Sequence, residues 1–431
     1  MSVRSTFTTL TLAAAVALLC AHAGAQSDQV AAARADAAAR PRDPEAGLRL
    51  ARVLRRAGLY QAAASELRKV MNLPGARSGP LSIAIHREVA LVAIEQGSYE
   101  SAMRACRSIA ALASGAAMSH ACLAEAHMIR KRATEALPEV AKALEIEPHM
   151  YEAKVVEGYA RWQNGDEAAA EAAFRAAADR DPARPEAFVG LGRLTAALNR
   201  KADALAAFEK AYAADPGDPV AALALGSALG SSERAVSVIQ SAISARPSFG
   251  AAHAKLAEVL LELGRVDQAE QEARLAIQSD RPEASWHAVL GAVLVRKGQF
   301  DAALAEAAAA LQQIPNFARA KLVEADARAG KREIDLAIEA YQTAFSYDRQ
   351  NPAPLVRAAL ACLASDRATT AAGFAEKATD TFPSWGPAWE ARGDVAAKAG
   401  ERADARRFYE RALAADGPVD KEAVRRKIGR L

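Results

Sequence analysis

The side chains able to do chemistry are few, and most have a structural explanation. Beyond residue 25 three cysteines remain, Cys106, Cys122 and Cys362. An odd number rules out a framework in which every cysteine is paired internally. Cys106 and Cys122 can form one disulfide, closing a short loop and adding about 3 kcal/mol on a chain-entropy account. The alternative is two reduced thiols in apolar slots. Cys362 falls at a core position and is expected to pack as a small apolar residue. His120 and His127 lie seven apart, on one face of a helix, with Cys122 close by. That grouping hints at zinc, but no fourth ligand is placed by spacing. The favoured reading has histidine substituting for an aromatic in a helix seam, and no metal or cofactor is expected. The chain contains no G-x-G-x-x-G, no G-x-x-x-x-G-K-[ST], no G-x-S-x-G and no H-E-x-x-H, so no catalytic residues are assigned and no enzyme is expected.

The N-terminus sets the expected compartment. Arg4 is followed by an uncharged, mostly apolar run from Phe7 to Leu19, and Ala23-Gly24-Ala25 precedes Gln26. This is the layout of a secretory signal cleaved after Ala25. The apolar run would rise about 20 Å as a helix, short of the roughly 30 Å hydrocarbon core. Leu19 stands where a lipoprotein signal places a small residue, so Cys20 is not read as a lipidation site. The expectation is an exported, periplasmic protein with no membrane span after cleavage.

The 431 residues include 112 alanines and only 5% aromatics, and the formal charge is +3. Alanine favours helix, whereas sheets favour β-branched and aromatic residues, so an all-α fold is expected. The near-neutral balance argues against a nucleic-acid partner.

Helices must be organised by something, and a repeat supplies it. Alanines recur at Ala63, Ala102, Ala136, Ala170, Ala204 and Ala235, and then every 34 residues to Ala405. The step is 34 except for one of 39 and one of 31. A second series of small residues accompanies it, among them Ala51, Gly158, Gly192 and Gly393. Between the two series lies a turn slot holding Gly58, Gly97, Gly165, Asn199, Gly264, Gly298 and Gly400, with Lys131, Arg332 and Asp366 in other copies. Prolines such as Pro182, Pro216 and Pro315 close the period. Each period therefore predicts two helices that cross at small residues. His120, His253 and His287 all fall at the fourth position of a period.

The pattern resembles the tetratricopeptide repeat, W-x2-L-G-x2-Y, then A-x3-F, then P. The fifth copy shows Phe188, Leu191, Gly192, Ala204, Phe208 and Pro216; the last shows Trp389, Gly393, Gly400, Ala405 and Phe408. The resemblance implies a right-handed α-solenoid of about eleven tandem helix-turn-helix repeats over 44–418. A lead-in segment over 26–43 precedes it and a capping helix over 419–431 follows. The long step places an insertion at 73–80, expected to be a flexible joint. The short step removes most of a turn near 229–232, expected to be a local bend.

The resemblance also implies that the first helices line a concave groove. Groove candidates are Met128, Tyr159, Trp162, Val189, Arg193, Leu223, Glu258, Leu261 and Val295, together with Arg52, Asp326, Asp394 and Lys398. Tyr159 and Trp162 share a helical face and suggest an anchor for an extended or helical peptide; packing between repeats is the competing role. The Lys and Asn positions with which one subfamily grips a terminal carboxylate hold Val155, Val189, Leu223 and Arg193, which disfavours that mode. The implied function is an exported scaffold that binds a protein or peptide and supports a cell-envelope or secretion assembly. The alternatives are a holding chaperone for apolar segments and a glycan-binding subunit of exopolysaccharide export. The basic C-terminal helix, with Arg425 and Arg426, is a candidate contact for an anionic glycan or lipid.

Overall fold

The computed structural model describes residues 28–113, 115–279 and 282–431; the signal and cleavage site expected within Met1–Gln26 lie outside them. Among the described residues every regular element is a helix. The chain divides into two compact units, Met1–Val259 and Leu260–Leu431.

In the first unit a lead helix over 28–39 precedes six helix pairs. These are α1 (Pro44–Arg56) with α2 (Tyr60–Met71), α3 (Gly79–Glu95) with α4 (Tyr99–Leu112), and α5 (Ala117–Ile129) with α6 (Ala133–Ile146). They continue with α7 (Tyr151–Gln163) and α8 (Glu167–Arg180), α9 (Pro185–Ala197) and α10 (Lys201–Ala214), and α11 (Pro219–Ala228) and α12 (Glu233–Ala245). The boundary between the units falls inside α13 (Gly250–Glu262). The second unit continues with α14 (Val266–Ile277), α15 (Ala284–Arg296) and α16 (Phe300–Gln313), α17 (Ala318–Gly330) and α18 (Ile334–Tyr347), and α19 (Ala353–Ala364) and α20 (Ala368–Thr381). It ends with α21 (Gly386–Lys398), α22 (Arg402–Ala414) and a single helix α23 (Lys421–Gly429).

The helix ends follow local chemistry. Asp43 and Asp218 accept backbone N–H groups at the starts of α1 and α11, and a proline follows each as the first helical residue. Both devices satisfy or remove orphan donors. Gly58, Gly165 and Gly400 take positive φ in the turns, but so do Lys131 (53°), Asn199 (59°), Arg332 (64°) and Asp366 (57°). The turn geometry thus holds even where the residue is not glycine. Tertiary contacts on both sides override the preference of the side chain at that point.

The two series of small residues form the seam. All eleven alanines of the 34-residue series are buried, ten of them completely. A Cβ at Gly192 would stand 2.5 Å from Phe208 Cε1, and one at Gly393 would stand 2.5 Å from Tyr409. In these pairs the aromatic ring of the second helix therefore lies on bare backbone of its partner. Cys106 occupies the ring position of the second pair. Cys122 occupies the position that Gly190 holds two repeats later, where a Cβ would meet Phe174 Cδ1 at 2.7 Å. In the structure Cys106 and Cys122 are joined by a disulfide across α4 and α5, and Cys362 is buried with a free thiol.

The histidines sit in the seam. His253 Nε2 lies 2.9 Å from the Pro247 carbonyl oxygen, and Trp389 Nε1 donates to the Pro383 carbonyl at 2.9 Å, six residues back in both cases. His120 and His287 pair instead with Glu139 (2.6 Å) and Glu306 (2.7 Å). The ring of His127 faces that of Tyr99, and Cys122 has no thiolate to offer a metal. Among the described residues no group of three or more His, Cys, Asp or Glu side chains is placed to hold a metal ion.

Two departures from the regular step are resolved differently. The insertion at 73–80 is not a loose joint. Ala76 is buried against a core that includes Leu67, Val70 and Ile85, which pins the loop before α3 begins. In the short copy α11 has ten residues where α9 has thirteen.

The end of the second unit is closed by imitation. Asp326 on α17 accepts from Tyr341 Oη at 2.8 Å and pairs with Arg357 of the next repeat. Asp394 on α21 likewise accepts from Tyr409 Oη at 2.8 Å and pairs with Lys427 of α23 at 2.7 Å. Lys427 also reaches Glu390, and Val424 is completely buried. Asp326 and Asp394, read from sequence as groove residues, are thus occupied in contacts between repeats. Lys398 is likewise bonded to Asp366.

Three expected outcomes follow from this packing. Alkylation of the unfolded, unreduced protein should label Cys362 but neither Cys106 nor Cys122. Replacing both bonded cysteines with alanine should cost about 3 kcal/mol in denaturant unfolding. Val424→Asp buries a charge under the last repeat and should speed amide exchange in α21 and α22, with no change in α1–α4.

Candidate functional site

The first helices of the first unit wall a chamber of about 2080 Å³. α1, α3, α5, α7 and α9 each contribute a face, and the ends of α10 and α12 complete it. The walls are built on ion pairs that join one repeat to the next. Arg55 donates to Glu88 at 2.5 Å and also bonds Glu95. Arg87 makes a two-bond fork to Glu125, at 2.5 and 2.7 Å. Arg184 bonds Glu152 at 2.6 Å and Glu186 at 3.3 Å, and its guanidinium lies 3.8 Å above the Tyr151 ring. Tyr151 Oη in turn donates to Glu186 at 3.1 Å and accepts from the Ala187 N–H at 3.1 Å.

These groups are partly dehydrated, which raises both the cost of separating them and the strength of their attraction. Burial pulls the Arg87 guanidinium down and Glu125 more than offsets it, so it is held above its ordinary range. Burial pushes Glu152 up, and Arg184 overrides that and leaves the carboxyl below its usual range. Burial raises the Asp218 carboxyl, while backbone N–H bonds at the start of α11 oppose the shift.

Apolar and aromatic surface lies between the ion pairs. Tyr159 meets Phe174 edge to face at 4.9 Å, and burial raises its phenol above the ordinary value while Arg193 pulls it down. Trp162 is half-buried; it packs beside Phe174 and Leu194 and also forms part of the chamber wall. The packing between repeats weighed for it from sequence is present, and the same side chain also faces the chamber.

A contact between distant parts of the chain completes the wall. Arg246, at the end of α12, bonds Glu95 at 3.3 Å across 151 residues of sequence. Its guanidinium lies 5.8 Å from the centre of the Tyr60 ring, and a Cβ at Gly58 would meet its Cγ at 2.8 Å. Burial pushes the Tyr60 phenol up to about 12. The sixth pair thereby touches the first two.

Of the residues proposed from sequence, Arg52, Met128, Tyr159, Trp162, Val189 and Arg193 line the chamber. Val189 does so while buried against Ala211 and Ala221. Leu223 and Glu258 belong to the first unit but not to its chamber walls; Leu261 and Val295 lie in the second unit. Sequence reasoning missed the charged walls. The available signal was opposite charges one repeat apart on first helices, as in Arg87 with Glu125 and Glu152 with Arg184. Among the described residues no helix is long and apolar enough to cross a membrane.

Comparison with known proteins agrees with this architecture. Three family models match, two described as tetratricopeptide repeat over residues 155–219 and 228–293 and one as tetratricopeptide repeat-like domain over 316–431. Together they cover more than half of the chain. No curated protein sequence matches. Among solved structures, the crystal structure of the APC/C hetero-tetramer Cut9-Hcn1 is similar with a TM-score of 0.56 at 14% identity, over 82% of this chain and 76% of that one. Yeast Tom70 is similar at 0.45 and 12% identity, covering 90% and 95%. A tetratricopeptide repeat protein from Parabacteroides merdae ATCC 43184 is similar at 0.42 and 15%, covering 65% and 97%. The likeness to Cut9-Hcn1, at 14% identity, speaks for the fold alone. With the 34-residue period, the helix pairs and the family matches in agreement, the chain belongs to the tetratricopeptide repeat family.

Proposed function

We propose that this protein is an exported adaptor that holds an extended segment of a partner protein in the chamber of its first unit and so scaffolds a cell-envelope or secretion assembly. The observation that carries the binding role is the chamber itself. It has room for several side chains, and Tyr159 and Trp162 stand half-buried in its wall among bonded charges. Aromatic residues with one face packed and one face open are favoured anchors in interfaces, because they bury much area at little entropic cost. Tetratricopeptide repeats serve as scaffolds for protein contacts, and the repeats occupy nearly all of the described chain, so the reading is of a binding protein and not an enzyme. Export is supported by the signal-like arrangement of Arg4, Phe7–Leu19 and Ala23-Gly24-Ala25, and by a disulfide of the kind that persists in oxidising compartments.

Two measurements test the two halves of this reading. A peptide array probed with the wild-type protein should give a defined set of binding segments. Trp162→Ala should weaken them by about tenfold or more, in keeping with loss of an anchor. Unchanged binding in that variant would remove the chamber from the account. For export, the mature protein recovered from an expressing bacterium should begin at Gln26 and fractionate with the periplasm. An intact Met1 would overturn that half.

A further inference from the structure

We propose that the chamber of the first unit is selective for an acidic extended polypeptide, with carboxylates received by Arg52, Arg56, Lys131 and Arg193. This rests on the reading of the chamber as a peptide site and adds the chemistry of the segment it takes.

The argument is a charge balance made residue by residue. Nine basic and seven acidic side chains line the chamber. The acidic ones are all engaged. Glu88 and Glu95 are held by Arg55, Glu125 by Arg87, and Glu152 and Glu186 by Arg184. Asp215 and Asp218 accept backbone N–H groups in the turn before α11. The basic side is not used up. Arg246 is spent on Glu95, and Arg49 faces Asp36 and Asp43. Arg52 comes only within 3.8 Å of Glu88, a carboxylate already bonded to Arg55 at 2.5 Å. Arg56, Lys131 and Arg193 are exposed, and among the described residues no carboxylate forms an ion pair with them. The free capacity of the wall is therefore cationic.

Placement adds a pattern. Arg52 and Arg56 are four apart on α1 and share a face. Arg193 lines the chamber together with Tyr159, Trp162 and Val155. A segment that alternates acidic and apolar residues can satisfy both kinds of surface at once. A nucleic acid would carry a phosphate at every step past seven wall carboxylates and would leave the aliphatic surface of Val155 and Met128 without a complement. Contact of Arg246 with Glu95 makes the wall continuous, which favours a slender single chain.

Fluorescence anisotropy on the full chain tests this, with labelled twelve-residue peptides of the repeated units Glu-Pro-Leu, Gln-Pro-Leu and Lys-Pro-Leu, and an oligothymidylate of the same length. The Glu peptide should bind about tenfold or more tighter than the Gln peptide at low salt and lose that margin as salt rises. Arg193→Glu and the pair Arg52→Glu with Arg56→Glu should each abolish the margin. Arg425→Glu, on the far end of the chain, should leave the margin intact. Thermal unfolding of each variant establishes that it is folded. Equal binding of the Glu and Gln peptides overturns the selectivity and leaves the peptide site standing. Tighter binding of the oligothymidylate overturns it in favour of a nucleic acid. Binding of none of the probes overturns both readings.

Discussion

The whole architecture depends on helices that can come close enough to bury an aromatic ring against bare backbone. Gly158 and Gly192 make this plain, since a single added carbon would collide with the rings of Phe174 and Phe208. Packing of this kind is short-range and steep, so a small residue at the crossing sets the distance between helices and hence the period of the chain. The buried alanines of the second helices are the other half of the same constraint. Where the ring is absent, at Cys106, a disulfide to Cys122 fills the same contact with a covalent bond. The histidines obey the rule as well. His253 makes the bond to a carbonyl that Trp389 makes in the last repeat.

Once the backbones are held in register, first helices from successive repeats present their outer faces to a common space. In the first unit that space is walled by forked and stacked pairs, Arg87 with Glu125 and Arg184 with Glu152 and Tyr151. Such pairs contribute modestly to stability because their desolvation offsets most of their attraction. Their greater effect is to fix side-chain directions, so that aromatic surface at Tyr159 and Trp162 stands at set positions between them.

The fold was legible because its determinants are local and periodic. Alanine in 34-residue phase, turn residues and closing prolines each state the helix pair again, and agreement across many copies leaves little freedom. Even Lys131, Arg332 and Asp366, poor residues for a left-handed turn, could be assigned to that slot from their phase alone. The site was legible only in part. Tyr159 and Arg193 share one register position and Met128 and Trp162 another, and both positions, which the period defines, face the chamber. The ion pairs were not legible, since their partners lie 32 to 38 residues apart and an error of one residue in register turns a side chain away. The contact of Arg246 with Glu95 has no signature in the sequence, being a product of how six pairs accumulate rotation.

That contact sets a counting rule for how the protein can change. Because the sixth pair meets the first two, the number of repeats between them is fixed: one hairpin more or fewer would carry Arg246 past Glu95 and leave the buried guanidinium without its carboxylate. The far end is under no such restriction. Lys427 offers Asp394 of α21 the same kind of cation that Arg357 offers Asp326 of α17, so one helix can stand in for a following repeat where that aspartate is present; α19, with Leu360 at the position, has none. Change of length by duplication is thus arithmetically closed within the first six pairs.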